Sequence, residues 1–306
     1  MELIRGFHNL RDEHRGCVLT IGNFDGMHLG HLALVRKTQE LSQRFGLPAT
    51  ALTFEPSPRE FFQGDKAPPR VTTFRSKVAA LAASGLDRAV IARFSGELSK
   101  CPAGDFVDEY LVRRLGVAAI VVGYDFRFGQ KREGDETVLR SRHGHEVHVV
   151  SQVLVGGERS SSTALREALA EPDFERVERL LGRPYALLGR VRHGLQLGRT
   201  LDMPTANIDL HRPLALRHGV YAVRGKVRGR WWDGVASIGV RPTIGTTRCL
   251  LETHLFGDCG DIYGEEMVVE FRAWLRPELK FDSLAELAAR MQQDAEDARR
   301  ILGAAA

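Results

Sequence analysis

The stretch TIGNFDGMHLGH, Thr20 to His31, sets three glycines and two histidines between an apolar run and a segment of helical periodicity. A dinucleotide-binding turn needs no histidine, and the phosphate loop of an ATPase ends in a lysine and a hydroxyl residue. Neither pattern is present. Upstream, GCVLTIG (Gly16–Gly22) has the length and composition of a buried strand. Downstream, Leu34, Leu41 and Phe45 recur at helical spacing within Leu32–Phe45. The stretch therefore reads as strand, turn and helix. A glycine-rich turn that opens a helix exposes backbone N–H groups at the positive end of the helix dipole, a phosphate site that needs no side chain. His28 and His31 are three apart and share a face if the helix has begun. There they are placed to donate hydrogen bonds to phosphate oxygens as charge builds during a transfer. The competing reading is a helix cap with two solvated histidines.

Working outward, PATALTF, RAVIAR and VAAIVVG read as further buried strands, with helical segments at Phe74–Ser84 and Phe106–Leu115. Such alternation predicts a parallel sheet covered by helices on both faces. Ligands of such sheets sit beyond the C-terminal ends of the strands, where Gly22–Gly30, Phe54–Phe61 and Gly123–Gly129 converge. A second anion clamp is SSSTALR, Ser160–Arg166: hydroxyls and then an arginine, whose guanidinium is a fixed fork of donors, lead into a helix. Near Leu181 the pattern changes. YALLGRVRHG, GVYAVRGKVRG, VASIGV, LLETHLF and EMVVEF are short runs separated by Gly and Pro, which predicts an antiparallel barrel or sandwich. From Phe281 the chain is helical again, with Ser283 and Glu286 as a capping box and Leu284, Leu287, Met291 and Ala295 on one face. A boundary at Gly182–Tyr185 gives domains 1–183 and 184–306.

A chain of 306 residues accommodates two such domains, each with its own core. Its N-terminal MELIRGFHNLRDEHRG is not of the secretory-signal type, and no apolar run approaches the ~20 residues that cross a bilayer. Cys17, Cys101, Cys249 and Cys259 are spaced for neither a structural zinc site nor a disulfide framework. A reduced, cytoplasmic protein is expected. A net charge of +4 is small for this length and suits phosphorylated small molecules at least as well as nucleic acid. Neither nucleic acid nor membrane is an expected partner, and homo-oligomerisation is left open.

LGRTLDMPTANIDL, Leu197–Leu210, carries a second constellation. Pro204 holds its predecessor extended, and in an extended segment Thr205 and Asn207 point the same way. A hydroxyl and an amide carbonyl are oxygen ligands suited to magnesium that already carries nucleotide phosphates. Gly194 and Gly198 supply a flexible phosphate-facing loop, with Arg199 beside it. In CLLETHLFG, Leu250, Glu252, His254 and Phe256 share one strand face and Leu251, Thr253 and Leu255 the other. Apolar residues on both faces predict a strand covered on both sides. A carboxylate there must point outward, be paired, or serve a site.

GNFDGMHLGH resembles the HxGH signature of the nucleotidyltransferase superfamily. TFEPSPREFF (Thr53–Phe62), GYDFRFG (Gly123–Gly129), SSTALR (Ser161–Arg166), PTAN and LLETHLF extend the likeness, in order, to the bacterial bifunctional riboflavin kinase/FAD synthetase family. The resemblance implies a Rossmann-like N-terminal FMN adenylyltransferase domain and a C-terminal β-barrel riboflavin kinase domain with a terminal helix. It implies ATP, riboflavin, FMN and FAD as substrates or products, with Mg2+. In the first domain it implies His28, His31 and Arg166 as catalytic groups. Gly22, Asn23, Phe24, Gly26, Gly30, Asp125, Phe126, Phe128, Ser162 and Thr163 would bind nucleotide or flavin. In the second it implies Glu252 as general base, with Thr205 and Asn207 arranging Mg-ATP. GVRPTIG, Asp261–Gly264 and Arg276 would shape the flavin pocket or the barrel. Two alternatives stay open: a nucleotidyltransferase for another phosphorylated acceptor, fused to the kinase, or a flavin-sensing regulator without turnover.

Overall fold

The computed structural model of the protein describes residues 1–143, 146–193, 203–243 and 246–304. The chain folds as two compact units, Met1–Pro68 with Val78–Ser161, and Pro69–Lys77 with Ser162–Ala306.

The first unit is built on β1 (Glu2–Arg5), β2 (Cys17–Ile21), β3 (Ala49–Glu55), β4 (Arg88–Arg93), β5 (Val117–Gly123) and β6 (Glu146–Val150). All neighbours pair in parallel, in the order β1-β4-β3-β2-β5-β6. Every residue of β2 is buried. From β2 the chain fills β3 and β4 on one side, then β5 and β6 on the other. The crevice of a doubly wound sheet therefore opens between β2 and β5 at their C-terminal ends. The HxGH turn follows β2 and GYDFRFG follows β5, so both motifs border it. Helix α1 (Leu29–Phe45) follows β2 and ends at Gly46, whose left-handed backbone (φ 63°) makes the C-cap.

Two edge strands escape the sequence pattern. β1 is only four residues with two charged ends, and β6 (EVHVV) mixes polar positions into a short run. The helix expected at Phe106–Leu115 is a short α turn, Ala103–Phe106, continued by a π-helical stretch, Val107–Arg114. The Leu115 N–H donates to Tyr110 O at 3.1 Å, the wider i→i−5 closure. Apolar periodicity locates such a segment and does not distinguish the two windings.

The second unit holds β9 (Ala186–Arg190), β10 (Ala206–Asp209), β11 (Gly219–Val227), β12 (Arg230–Thr243), β13 (Thr246–Leu255) and β14 (Glu266–Arg276), after the small hairpin β7–β8 (Leu154–Val155, Glu158–Arg159) of the first unit. The order β10-β13-β12-β11-β14-β9 is antiparallel throughout. The Arg192 N–H donates to Asn207 O at 2.8 Å and joins the two end strands, closing the sheet into a barrel. Closure depends on Gly189, because a Cβ there would run into Ile208 Cγ2. Gly189→Ala is therefore expected to destabilise the barrel by ~1–3 kcal/mol, as overpacking does. The three tryptophans, Trp231, Trp232 and Trp274, all lie in this unit. Denaturation followed by tryptophan fluorescence should show the lowered midpoint; an unchanged midpoint would mean the strands separate at no cost.

The barrel interior is filled by Tyr221, Val223, Leu251, Leu255 and Phe271. The same core takes in Leu165 and Leu169 of Ser162–Ala170, Val177, Leu180 and Leu181 of Phe174–Leu181, and Val71. Tyr185 Oη donates to Val71 O at 2.6 Å and the Ala215 N–H to Arg70 O at 2.8 Å. The change of element type falls at Gly182, whereas apolar packing reaches back to Ser162 and takes in Pro69–Lys77. The terminal helix, Leu284–Ala304, seats Ala295, Ala298 and Leu302 against Val220, Ala222 and Val235. Leu284 is 63% exposed and lies off the face that the sequence pattern assigned to it. Buried Asp294 completes the seam. It accepts from Arg276 Nε at 2.9 Å and Nη2 at 2.6 Å, and from Arg290 Nε at 3.0 Å.

Candidate functional site

In the first unit the turn after β2 is wound tightly. Phe24 (φ 49°), Gly26 (φ 93°) and Met27 (φ 45°) all take positive φ. Phe24 and Met27 are nonetheless buried, so core packing holds the turn in a conformation most side chains avoid. Asn23 is exposed at the tip, its carbonyl accepting from Thr53 Oγ1 at 3.3 Å. α1 begins at Leu29, so His28 is its N-cap and lies outside the helix. The His31 N–H donates to His28 Nδ1 at 3.3 Å. That bond uses one of the N–H groups expected to face a phosphate and settles the tautomer. With Nδ1 accepting, neutral His28 carries its proton on Nε2. The His28 and His31 rings stack at 3.7 Å between centroids, and Phe24 lies 5.2 Å from His31. The capping half of the competing reading is thus present, but His28 is 7% exposed and not a solvated side chain. Gly30 allows this arrangement, since a Cβ there would sit 3.0 Å from both the His28 ring and Ser160 O. Gly22 lies beneath the Phe24 ring, which a Cβ would approach to 3.2 Å.

Asp125 accepts from Arg159 Nη2 at 2.6 Å on an exposed surface, and Arg159 also covers the Tyr124 ring. Phe126 and Phe128 stack on each other at 5.4 Å and lie half-buried against the sheet core. A third group at this edge lies in PSPREFF, where sequence pattern alone singles out no residue. The segment folds into a short helix, Pro58–Gln63, with a reciprocal capping box: the Glu60 N–H donates to Ser57 Oγ and the Ser57 N–H to Glu60 Oε2. It presents Phe61 (39% exposed) and Phe62 (67% exposed) beside Phe54 and Phe94, with ring centroids 5.3–5.8 Å apart. Exposed aromatics in contact with one another, at the ligand edge of a parallel sheet, are a binding signal.

Ser162, Thr163 and Arg166 belong to the second compact unit, on the helix Ser162–Ala170. Arg166 Nε donates to Pro69 O at 2.7 Å and Nη1 to Ser162 O at 3.1 Å, so backbone carbonyls orient the guanidinium.

The barrel brings together residues far apart in sequence. In the β10–β13 ladder Asn207 lies directly opposite Glu252, and Glu252 is opposite Ser237 on β12. Cross-strand partners share a face, with Cβ atoms about 4.5–5.5 Å apart. Asn207 Nδ2 donates to Thr205 O at 3.3 Å, which points its Oδ1 the other way, as an acceptor. Glu252 is half-buried. The opposite face of β13 is closed in the barrel, while the Glu252 face is only partly covered, contrary to the expectation of a strand sealed on both sides. Among the described residues no group of three or more His, Cys, Asp or Glu side chains could hold a metal. Thr205 and Asn207 fit an ion that arrives with nucleotide phosphates, for which one or two protein oxygens suffice. Gly194, Gly198 and Arg199 lie outside the described residues. The four cysteines are free. Burial pushes the Cys17 thiol up to about 12 and the Cys249 thiol up to about 11, so neither offers a thiolate.

Two family sequence models match, FAD synthetase over residues 10–164 and riboflavin kinase over residues 181–302. With a parallel sheet carrying an HxGH turn and a barrel carrying a carboxylate, they define a flavin-nucleotide transferase of two modules. Full-length relatives named bifunctional riboflavin kinase/FMN adenylyltransferase agree. The relative from Pseudomonas fluorescens is 44% identical, covering 98% of each chain. That from Haemophilus influenzae is 42% identical with the same coverage, and that from Escherichia coli K12 is 44% identical over 99% and 98%. The chain belongs to the bifunctional riboflavin kinase/FMN adenylyltransferase family. A solved structure from Streptococcus pneumoniae, described as a macrolide-efflux protein, has the same fold, with a TM-score of 0.80, 27% identity and coverage of 98% and 99%. Among the described residues here, no helix is long and apolar enough to cross a membrane.

Proposed function

We propose that the family's two activities, riboflavin kinase and FMN adenylyltransferase, are carried out by this chain at two separate centres, with domains 1–183 and 184–306 as their sequence modules. The observation that carries this is the cross-strand pairing of Asn207 with Glu252 in one unit, beside the stacked His28 and His31 in the other.

In the kinase step Glu252 accepts the proton of the riboflavin 5′-hydroxyl as that oxygen attacks the γ-phosphorus of ATP, and ADP leaves. An alcohol nucleophile gains from a positioned base. Thr205 and Asn207 would hold Mg-ATP. Bound magnesium would neutralise charge between the β- and γ-phosphates.

In the adenylyl step the FMN phosphate attacks the α-phosphorus of a second ATP, and pyrophosphate leaves. The nucleophile is already an anion, so catalysis is alignment and charge stabilisation. His28 donates from Nε2 to the transferring phosphate, with His31 beside it. The turn Gly22–Gly30 with Asn23 receives the nucleotide, and the match of Ser162, Thr163 and Arg166 to the family motif assigns them to phosphate binding. Asp125, Phe126 and Phe128 line the substrate side, and Phe62 gives the flavin ring an apolar platform.

Incubation with riboflavin, ATP and magnesium should yield FMN first and FAD second, one ADP per FMN and one pyrophosphate per FAD. FMN that accumulates without FAD would favour another acceptor, and tight flavin binding without turnover would favour a sensor. Phe62→Ser should raise KM for FMN about tenfold through the lost aromatic contact, leaving riboflavin phosphorylation unaltered. An unchanged KM for FMN would remove Phe62 from the flavin site.

A further inference from the structure

Strand pairing between β10 and β13 begins at Ala206, opposite Thr253. Pro204 and Thr205 lie just outside that ladder, and among the described residues no strand pairing reaches the peptide that joins them. A side chain does so instead. His254, two residues beyond Glu252 and on the same face of β13, has Nδ1 2.9 Å from Pro204 O. A carbonyl only accepts, so Nδ1 carries the proton and donates. The ring is half-buried, with its edge against Phe256 at 5.9 Å between centroids, and Phe256 is covered in turn by the Arg299 guanidinium. Burial, the larger influence, pushes the His254 pKa down, which keeps the ring neutral.

We propose that His254 is a positioning residue of the kinase centre: by holding the Pro204 carbonyl, it sets Thr205, and the Mg-ATP that Thr205 receives, relative to Glu252. This rests on the reading of Thr205, Asn207 and Glu252 as that centre. The bond continues the β10–β13 pairing past the end of the ladder, at the residues where a nucleotide is to be held. A shift of the Pro204–Thr205 peptide displaces the Thr205 hydroxyl without disturbing the barrel, whose closure rests on Asn207 and Arg192.

The test uses the full chain and two substitutions. His254→Phe keeps a ring of similar size and removes the donor. His254→Asn places an amide N–H where Nδ1–H stood. In His254→Phe, KM for Mg-ATP in the riboflavin kinase reaction should rise about tenfold with a smaller fall in kcat, the effect of losing one positioning hydrogen bond. His254→Asn should bring KM back to within about threefold of wild type. The denaturation midpoint of both proteins, followed by the fluorescence of the barrel's Trp231, Trp232 and Trp274, serves as the folding control. Wild-type KM in His254→Phe, beside an impaired Thr205→Ala, overturns the positioning role. So does an Asn variant as impaired as the Phe variant, since ring packing would then be what counts. Normal kinase turnover in Thr205→Ala and Glu252→Gln would overturn the site reading itself, and this role with it.

Discussion

Exchanging His28 for asparagine is expected to slow the conversion of FMN to FAD by ~100-fold while leaving riboflavin phosphorylation and the stability of the fold near wild type. The choice of residue follows from the geometry. His28 Nδ1 caps α1 by accepting from the His31 N–H. Alanine would remove both that cap, worth ~1 kcal/mol, and the imidazole Nε2–H. Asparagine is among the best N-capping residues, but its short side chain cannot reach where Nε2 donates. The variant therefore separates capping from catalysis. Loss of one preorganised donor to a developing anion costs ~3 kcal/mol of transition-state stabilisation, which is the hundredfold expected. Single-turnover adenylylation with supplied FMN is the measurement. A wild-type rate in a normally stable protein would return His28 to a purely structural cap. His31→Ala should slow the same step by removing the ring stacked on His28.

Glu252→Gln should have the converse effect. The amide keeps length, shape and an acceptor oxygen but cannot usefully take a proton. Riboflavin phosphorylation is expected to fall ~100-fold or more, with Mg-ATP affinity little changed. Asn207, directly opposite on β10, and Thr205 remain to hold the nucleotide. Thr205→Ala should do the reverse, weakening Mg-ATP and recovering partly at high magnesium. An unchanged single-turnover rate for Glu252→Gln would eliminate the base. Lost Mg-ATP affinity with recovery at saturating magnesium would make Glu252 a metal ligand instead.

The sequence shows the central strands plainly, because β2, β3 and β5 are buried on both faces and read as continuous apolar runs. It shows the edges poorly. In β1 and β6 polar and apolar residues are mixed within four or five positions, too few to establish a period. Local chemistry is likewise legible: the HxGH turn, the Ser283 N-cap and the PTAN oxygens are each contained in a few consecutive residues. What cannot be read is what depends on pairing. Nothing in ETH or PTAN says that Asn207 stands opposite Glu252, or that His254 ties down Pro204; both follow from one strand register. His28 as a cap depends on where α1 begins, and helix boundaries are the least certain part of any periodicity. The grouping of Val71 and Leu165 with the barrel core is also a long-range matter, since their apolar character alone does not say against which sheet they lie.

The most direct measurement of two separate centres is FAD formation from riboflavin, ATP and magnesium by an equimolar mixture of the His28→Asn and Glu252→Gln proteins. Each protein alone should stall, the first at FMN and the second at riboflavin. The mixture should make FAD, because the first supplies FMN that the second adenylylates. No FAD from the mixture, with each protein still performing its own half-reaction on supplied substrate, would contradict two centres linked by free FMN.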